Sequence, residues 1–133
     1  MIVIDCSVLV GFVLPADAYH EEAGACRDRD ADWQAPFLVR TEFRSVAAGY
    51  LRRGEALETI LEAAALAVLS VRAHHLTDAE VFAVLQLAPL SAYDAEYVAL
   101  ARRLGCRLVT TDREVLRAFP QLAVRLSEYA TGG

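Results

Sequence analysis

The sequence predicts an α/β protein: a three-layer α/β/α sandwich around a central, mostly parallel sheet of about five strands. Three observations predict it. Short apolar runs rich in β-branched residues alternate with longer segments of helical periodicity. The helical segments open on capping residues and several close on glycine or proline. Two of the strand runs, Ile2-Val3-Ile4-Asp5 and Leu108-Val109-Thr110-Thr111-Asp112, end in aspartate. In open parallel sheets that is the edge where ligands bind.

The elements follow in order. Residues 2–5 read as a buried strand, and 7–13 as one or two helical turns ending before Pro15. Asp17 is placed to cap a helix running to about Arg29. Trp33-Gln34-Ala35 reads as a short strand, and Pro36 as the first position of a helix that runs to about Arg53 and stops at Gly54. An Ala-rich helix is expected over 55–67 and a strand over Val68-Leu69-Ser70-Val71. Thr77 with Glu80 forms a capping box for a helix to Leu87, which Pro89 ends. Ser91 with Asp94 starts the next helix, which reaches Leu104 and stops at Gly105. A strand over 107–110 follows, then a third box of Thr111 with Glu114, and a last strand at Val124-Arg125-Leu126.

Composition narrows the function classes. Apolar residues make up 56% of the 133, above the usual ~45–50% of a soluble domain, which fits an additional apolar interface. No apolar run reaches the roughly 18 residues needed to span a membrane, and Met1 leads straight into a strand without a basic leader, so a cytoplasmic protein is expected. Cys6, Cys26 and Cys106 are odd in number and far apart, which argues against a disulfide framework or a zinc site. Net charge is −5, and all 13 basic residues are arginine. Without lysine, P-loop and Schiff-base chemistry are excluded. Nucleic acid would have to be held by local arginines, with a metal offsetting the carboxylates.

Four acids are candidates for chemistry. Asp5 and Asp112 are the strand-end pair; each also suits a helix N-cap, although Thr111 and Ser7 compete for that role. Glu42 lies at the edge of the apolar stripe formed by Val39, Phe43, Val46, Ala47 and Tyr50, with Arg40 and Arg44 nearby as salt-bridge alternatives. Asp94 has a structural alternative as the third residue of its capping box. Glu96 and Glu114 read as solvated helix-face acids, and His74 and His75 as an exposed loop pair. Converging carboxylates stay ionised only beside a cation, and an all-oxygen set selects a hard ion, Mg²⁺ or Mn²⁺.

Four segments then resemble one family. Asp5-Cys6-Ser7-Val8-Leu9-Val10 resembles the opening Asp-x-Ser/Thr strand of PIN-domain ribonucleases, and Arg40-Thr41-Glu42-Phe43 their helix-borne glutamate. Tyr93-Asp94-Ala95-Glu96-Tyr97-Val98-Ala99-Leu100-Ala101 is similar to their Asp-Ala-x-Tyr-x-x-Leu-Ala helix. Leu108-Val109-Thr110-Thr111-Asp112 is similar to their closing Thr-x-Asp strand. Order, spacing and length resemble the VapC-type toxins of bacterial toxin–antitoxin pairs, which implies one PIN-like domain over 1–133.

The resemblance further implies a metal-dependent endoribonuclease acting on single-stranded or looped RNA. Asp5, Glu42, Asp94 and Asp112 would hold one or two Mg²⁺ or Mn²⁺ ions, with Ser7 and Thr111 orienting carboxylates and Asp94 or Asp112 orienting the attacking water. Arg40, Arg44, Arg102 and Arg103 are the candidate RNA contacts. Cys6 and Val115 depart mildly from the family pattern. Implied partners are a VapB-type antitoxin, a second copy of the chain and RNA; Phe12, Tyr19, Phe37 and Phe43 are candidate groove residues. A receiver domain or a haloacid-dehalogenase phosphatase shares the strand-end aspartate, but each usually carries a functional lysine. A non-catalytic PIN-like binding module is the remaining alternative.

Overall fold

The computed structural model describes residues 1–132. In chain order its elements are β1 (Ile2–Ile4), α1 (Cys6–Val13), α2 (His20–Arg29), β2 (Trp33–Pro36), α3 (Val39–Arg52), α4 (Leu57–Ser70) and β3 (Val71–His74). Then come α5 (Asp78–Leu87), α6 (Ala92–Leu104), β4 (Leu108–Thr110), α7 (Arg113–Ala118), β5 (Ala123–Arg125) and α8 (Leu126–Ala130). The strands form one sheet in the order β3-β2-β1-β4-β5, and every neighbouring pair is parallel. The expected three-layer sandwich with five parallel strands is the observed architecture.

The sheet forms where the sequence is apolar throughout rather than alternating. Ile2, Val3 and Ile4 are all buried, as expected of a central strand covered on both faces. The helix α6 lies against β1, β2 and β4, with α5 packed beside it. Its buried face includes Ala95, Ala99 and Ala101, whose small side chains allow close approach to the sheet. The helix α1 packs with α2, α3 and α4. The chain works outward from β1 to β2 and β3, then returns to lay β4 on the other side of β1. The carboxyl ends of β1 and β4 therefore meet at the topological switch point, where such sheets open a crevice.

Several boundaries differ from expectation. The strand expected at 68–71 begins only at Val71; Val68, Leu69 and Ser70 complete α4, and Leu69 stands 83% exposed. A short apolar run fits either element, and pairing decides it here: β3 aligns Val71 with Trp33 and His74 with Pro36. Pro36 ends β2 instead of starting a helix, and the next amide, that of Phe37, donates to the His74 carbonyl. His74 is thus a strand residue bonded through Nε2 to Gln34 Oε1 at 2.7 Å, while His75 stacks on Phe37 at 4.2 Å between centroids. Asp17 does not cap α2, which starts at His20; it accepts from the Tyr19 amide and the Tyr50 hydroxyl. The last strand starts one residue early, and Leu126 opens α8, a helix the sequence pattern did not suggest.

The Thr77–Glu80 capping box closes in both directions. Glu80 also receives two hydrogen bonds from Arg103 of α6, at 2.6 and 2.7 Å, so one side chain starts α5 and fastens it to α6. Arg103 holds the Glu80 carboxyl far below its ordinary range, at about 2. A depressed folded pKa contributes stability that is complete above the unfolded value and lost as pH falls through the folded one. Glu80→Ala is expected to cost about 1–2 kcal/mol in urea unfolding at pH 7. The difference from wild type should shrink steadily as pH falls from about 4.5 towards 2.

Candidate active site

Asp5 follows β1 and caps α1, and both carboxylate oxygens are fully engaged. Oδ1 accepts from Ser7 Oγ at 2.5 Å and from the Val8 amide at 3.1 Å. Oδ2 accepts from the Thr110 hydroxyl and from the Thr111 amide at 3.3 Å. Burial pushes the Asp5 carboxyl up, and these four donors oppose it. All four contacts present hydrogens to the carboxylate, so the arrangement suits the ionised form, which only accepts.

The proton positions follow from counting. Ser7 spends its one hydroxyl proton on Asp5, so Thr111 Oγ1, 2.8 Å away, must donate to Ser7. Thr110 spends its proton on Asp5 and accepts from the Asp112 amide at 3.0 Å. The chain Thr111–Ser7–Asp5–Thr110–Asp112 thus stitches the end of β1 to the end of β4. Asp112, not Thr111, caps α7, accepting from the Val115 amide at 3.0 Å; the expected third capping box does not form, because Thr111 turns to Ser7 instead.

The remaining two acids arrive from helices. Glu42 on α3 forms no ion pair with Arg40 or Arg44; its Oε1 accepts from the Tyr97 hydroxyl of α6 at 2.6 Å. Burial raises the Glu42 carboxyl, Tyr97 lowers it, and Asp94 and Asp5 raise it further. Asp94 lies one turn before Tyr97. Ser91 caps α6 by accepting from the Asp94 amide at 3.1 Å, and hydrogen bonding from the same hydroxyl draws the Asp94 carboxyl down. Burial raises it first, then the charge of Asp112, with Asp5 and Glu114 adding to the effect.

The four predicted acids therefore share one electrostatic neighbourhood, to which Glu114 and Glu96 also contribute. Cys6 faces the same site. Burial, then Glu42 and Asp5, push its thiol up to about 12, so it stays protonated at neutral pH. The donor set is all oxygen and anionic, the chemistry a hard divalent ion requires. Among the described residues, however, no group of three or more His, Cys, Asp or Glu side chains is gathered tightly enough to hold an ion as it stands.

The predicted RNA-contact arginines lie apart from this neighbourhood. Arg40 and Arg44 line a groove between α3 and α4 with Val39, Phe43, Ala64 and Val68, and the groove contains none of the four acids. Arg102 borders another cleft with Leu87 and Phe119, and Arg103 is committed to Glu80 and the His75 carbonyl. The four candidate groove aromatics do not share a surface: Phe12 packs against Trp33 and Phe43 is buried, whereas Tyr19 and Phe37 are exposed. Thr110 and Tyr97 are site residues that sequence reasoning missed as such. The available signal was a hydroxyl at the edge of an apolar stretch and within two residues of an acid, Asp112 for Thr110 and Glu96 for Tyr97.

Two consequences are testable. Thr110→Val keeps shape but removes a donor to Asp5 and an acceptor for the Asp112 amide; urea unfolding is expected to show a loss of about 1–3 kcal/mol. Asp94 behaves oppositely. Its folded carboxyl is raised, so ionising it costs stability: the cost is absent below its ordinary value of 3.8 and complete above the raised one. Asp94→Asn is expected to stabilise the metal-free chain by ~1 kcal/mol at pH 7, a gain that vanishes in unfolding curves recorded near pH 3.

Comparison with known proteins places the fold and the family. Ribonuclease VapC3 of Pyrobaculum aerophilum is 29% identical over 128 residues, covering 91% of this chain and 96% of that protein. The crystal structure of PAE2754 from Pyrobaculum aerophilum superposes with a TM-score of 0.75 at 21% identity, covering 98% of this chain and 94% of that one. Mycobacterium tuberculosis VapC20, described as a Sarcin-Ricin loop cleaving toxin, superposes at 0.66 with 18% identity, covering 92% of this chain and 96% of that one. These two structures share the fold. The PIN-domain family model matches residues 2–121, the span that contains the sheet edge and all four acids, and the chain belongs to the PIN-domain family.

Proposed function

We propose that the chain is a VapC-type endoribonuclease, the toxin of a toxin–antitoxin pair, which hydrolyses phosphodiester bonds of single-stranded or looped RNA. Its residues 1–133 act as one PIN-like unit in the cytoplasm. The observation that carries the reading is the convergence of Asp5, Glu42, Asp94 and Asp112, from four separate elements, at the switch point of a PIN fold. These four would hold Mg²⁺ or Mn²⁺, with Ser7 and Thr111 fixing Asp5. The alternative of a non-catalytic binding module gives no reason to keep mutually repelling carboxylates together.

Each side chain has a part. The donors around Asp5 oppose the upward push of burial and fix both carboxylate oxygens in place. Tyr97 aims Glu42 while leaving Oε2 without a donor among the described residues. Asp94 and Asp112 are close enough for Asp112 to raise the Asp94 carboxyl and both retain acceptor capacity, which suits them to orient an attacking water. A bound divalent ion supplies charge relief on the phosphoryl oxygens and activation of that water. Single-stranded or looped RNA is favoured because its bases and backbone are accessible.

Partners follow from the surface. Leu57, Leu61 and Leu69 of α4, and Phe82 and Leu87 of α5, are exposed apolar side chains. They support a homodimer face and a cognate VapB-type antitoxin as occupants. Among the described residues no helix is long and apolar enough to cross a membrane.

Purified, antitoxin-free protein is expected to cut single-stranded RNA with Mg²⁺ or Mn²⁺ and to lose at least about 100-fold of that rate in Asp5→Asn. Uncut RNA, or equal cutting by Asp5→Asn, would sink the reading. Independently of activity, Mn²⁺ should raise the melting temperature of the wild type and raise it less in Asp94→Asn. The rise should diminish as pH falls, since protons compete for the raised carboxylates.

A further inference from the structure

A ribonuclease with this site must hold a polyanion against four carboxylates. Five of the thirteen arginines are already occupied. Arg27, Arg29, Arg40 and Arg53 lie over aromatic rings, and Arg103 is paired with Glu80. Arg44 and Arg102 line clefts without any of the four acids. Arg113 and Arg125, together with Tyr19, Glu22, Thr111 and Ser127, line a cleft of about 210 Å³. That cleft also contains none of the four acids, but its wall includes Thr111, which is hydrogen-bonded to the Asp5 donor Ser7.

Three observations tie that cleft to the acids. Thr111 forms part of its wall and is 2.8 Å from Ser7, the donor to Asp5. Arg125 is the register partner of Thr110, the other hydroxyl donor to Asp5, so it stands at the same carboxyl edge one strand further along. Arg113 directly follows Asp112. Both arginines are exposed, and neither guanidinium has a hydrogen bond or ion pair among the described residues. The Tyr19 wall is held in place by a close approach: a Cβ added at Gly11 would sit 3.0 Å from Tyr19 Cβ and 3.1 Å from its carbonyl oxygen. Glu22 is the one acid in the cleft, against two guanidinium groups.

We propose that this cleft is a substrate subsite: Arg113 and Arg125 clasp a non-scissile phosphate of the RNA strand, and the exposed ring of Tyr19 receives a neighbouring base. The inference rests on the ribonuclease reading and adds a direction to it. The strand leaves the acids over the β4–β5 side, not over the α3 groove. Guanidinium groups suit the role because they bind phosphate bidentately and keep their charge beside carboxylates. Aromatic stacking adds hold without sequence preference.

The test is equilibrium binding of a fluorescent single-stranded oligoribonucleotide to Asp94→Asn protein, in which cutting is suppressed, across a salt series. Arg113→Gln and Arg125→Gln are each expected to weaken binding about threefold to tenfold, and to flatten the slope of log affinity against log salt by about 0.7 each. Arg72→Gln, the same charge change on β3, should leave affinity and slope unchanged. If the double variant keeps the parent's affinity and slope, or Arg72→Gln matches its loss, the subsite is overturned while the ribonuclease reading stands. If wild-type protein neither cuts nor binds RNA, the ribonuclease reading falls and takes the subsite with it.

Discussion

Asp5 receives four hydrogen bonds from two places more than one hundred residues apart in sequence, and the rest of the site is arranged around that clasp. It sits where β1 ends and α1 begins, at the centre of the sheet. Each donor does structural work as well. The Val8 amide would otherwise be an orphan of the first helical turn. Thr110 is buried and would otherwise be an unpaired hydroxyl in the core. Removing the carboxylate would therefore expose unsatisfied groups on both strands, besides removing a charge.

This double duty changes how helix caps bear on function. Asp5 and Asp112 are both genuine N-caps, so the purely structural account of each is correct as far as it goes. It does not displace the functional account. A capping aspartate uses one oxygen towards its helix and is held rigidly by doing so; the second oxygen of Asp5 is bound to the end of β4, whereas that of Asp112 accepts no hydrogen bond among the described residues. Capping and catalysis compete for a residue only when they need the same lone pair.

The acids were legible in the sequence because their signals are local. Asp5 and Asp112 follow apolar strand runs, Glu42 breaks the edge of an apolar stripe, and Asp94 follows a serine cap at fixed spacing. The supporting hydroxyls were less visible: Thr110 and Tyr97 are ordinary strand and helix residues until the partner element is known. The β3 boundary was misplaced because Val68-Leu69 fits either periodicity, and only pairing with β2 decides it. Arg113 and Arg125 were invisible for the same reason. Twelve positions separate them, and it is the β4–β5 register that sets Arg125 beside the Asp5 clasp.

The four carboxylates are not equally committed. Among the described residues Asp5 accepts four hydrogen bonds across its two oxygens, Asp112 and Glu42 each accept one through one oxygen, and Asp94 has only its own Ser91 cap as a side-chain donor. A carboxylate offers about four acceptor positions. The half of the site on β1 is thus fixed by folding, while the helix-borne half keeps open lone pairs and bears the mutual repulsion. On the ribonuclease reading this division has a physical purpose. Fixed dipoles and charges act without reorganisation at the moment of reaction. Unfilled lone pairs give an incoming cation something to gain, and the repulsion between Asp94 and its neighbours is the energy such a cation would relieve. Four acids all as fully satisfied as Asp5 would make a more stable site that left an incoming cation little to gain.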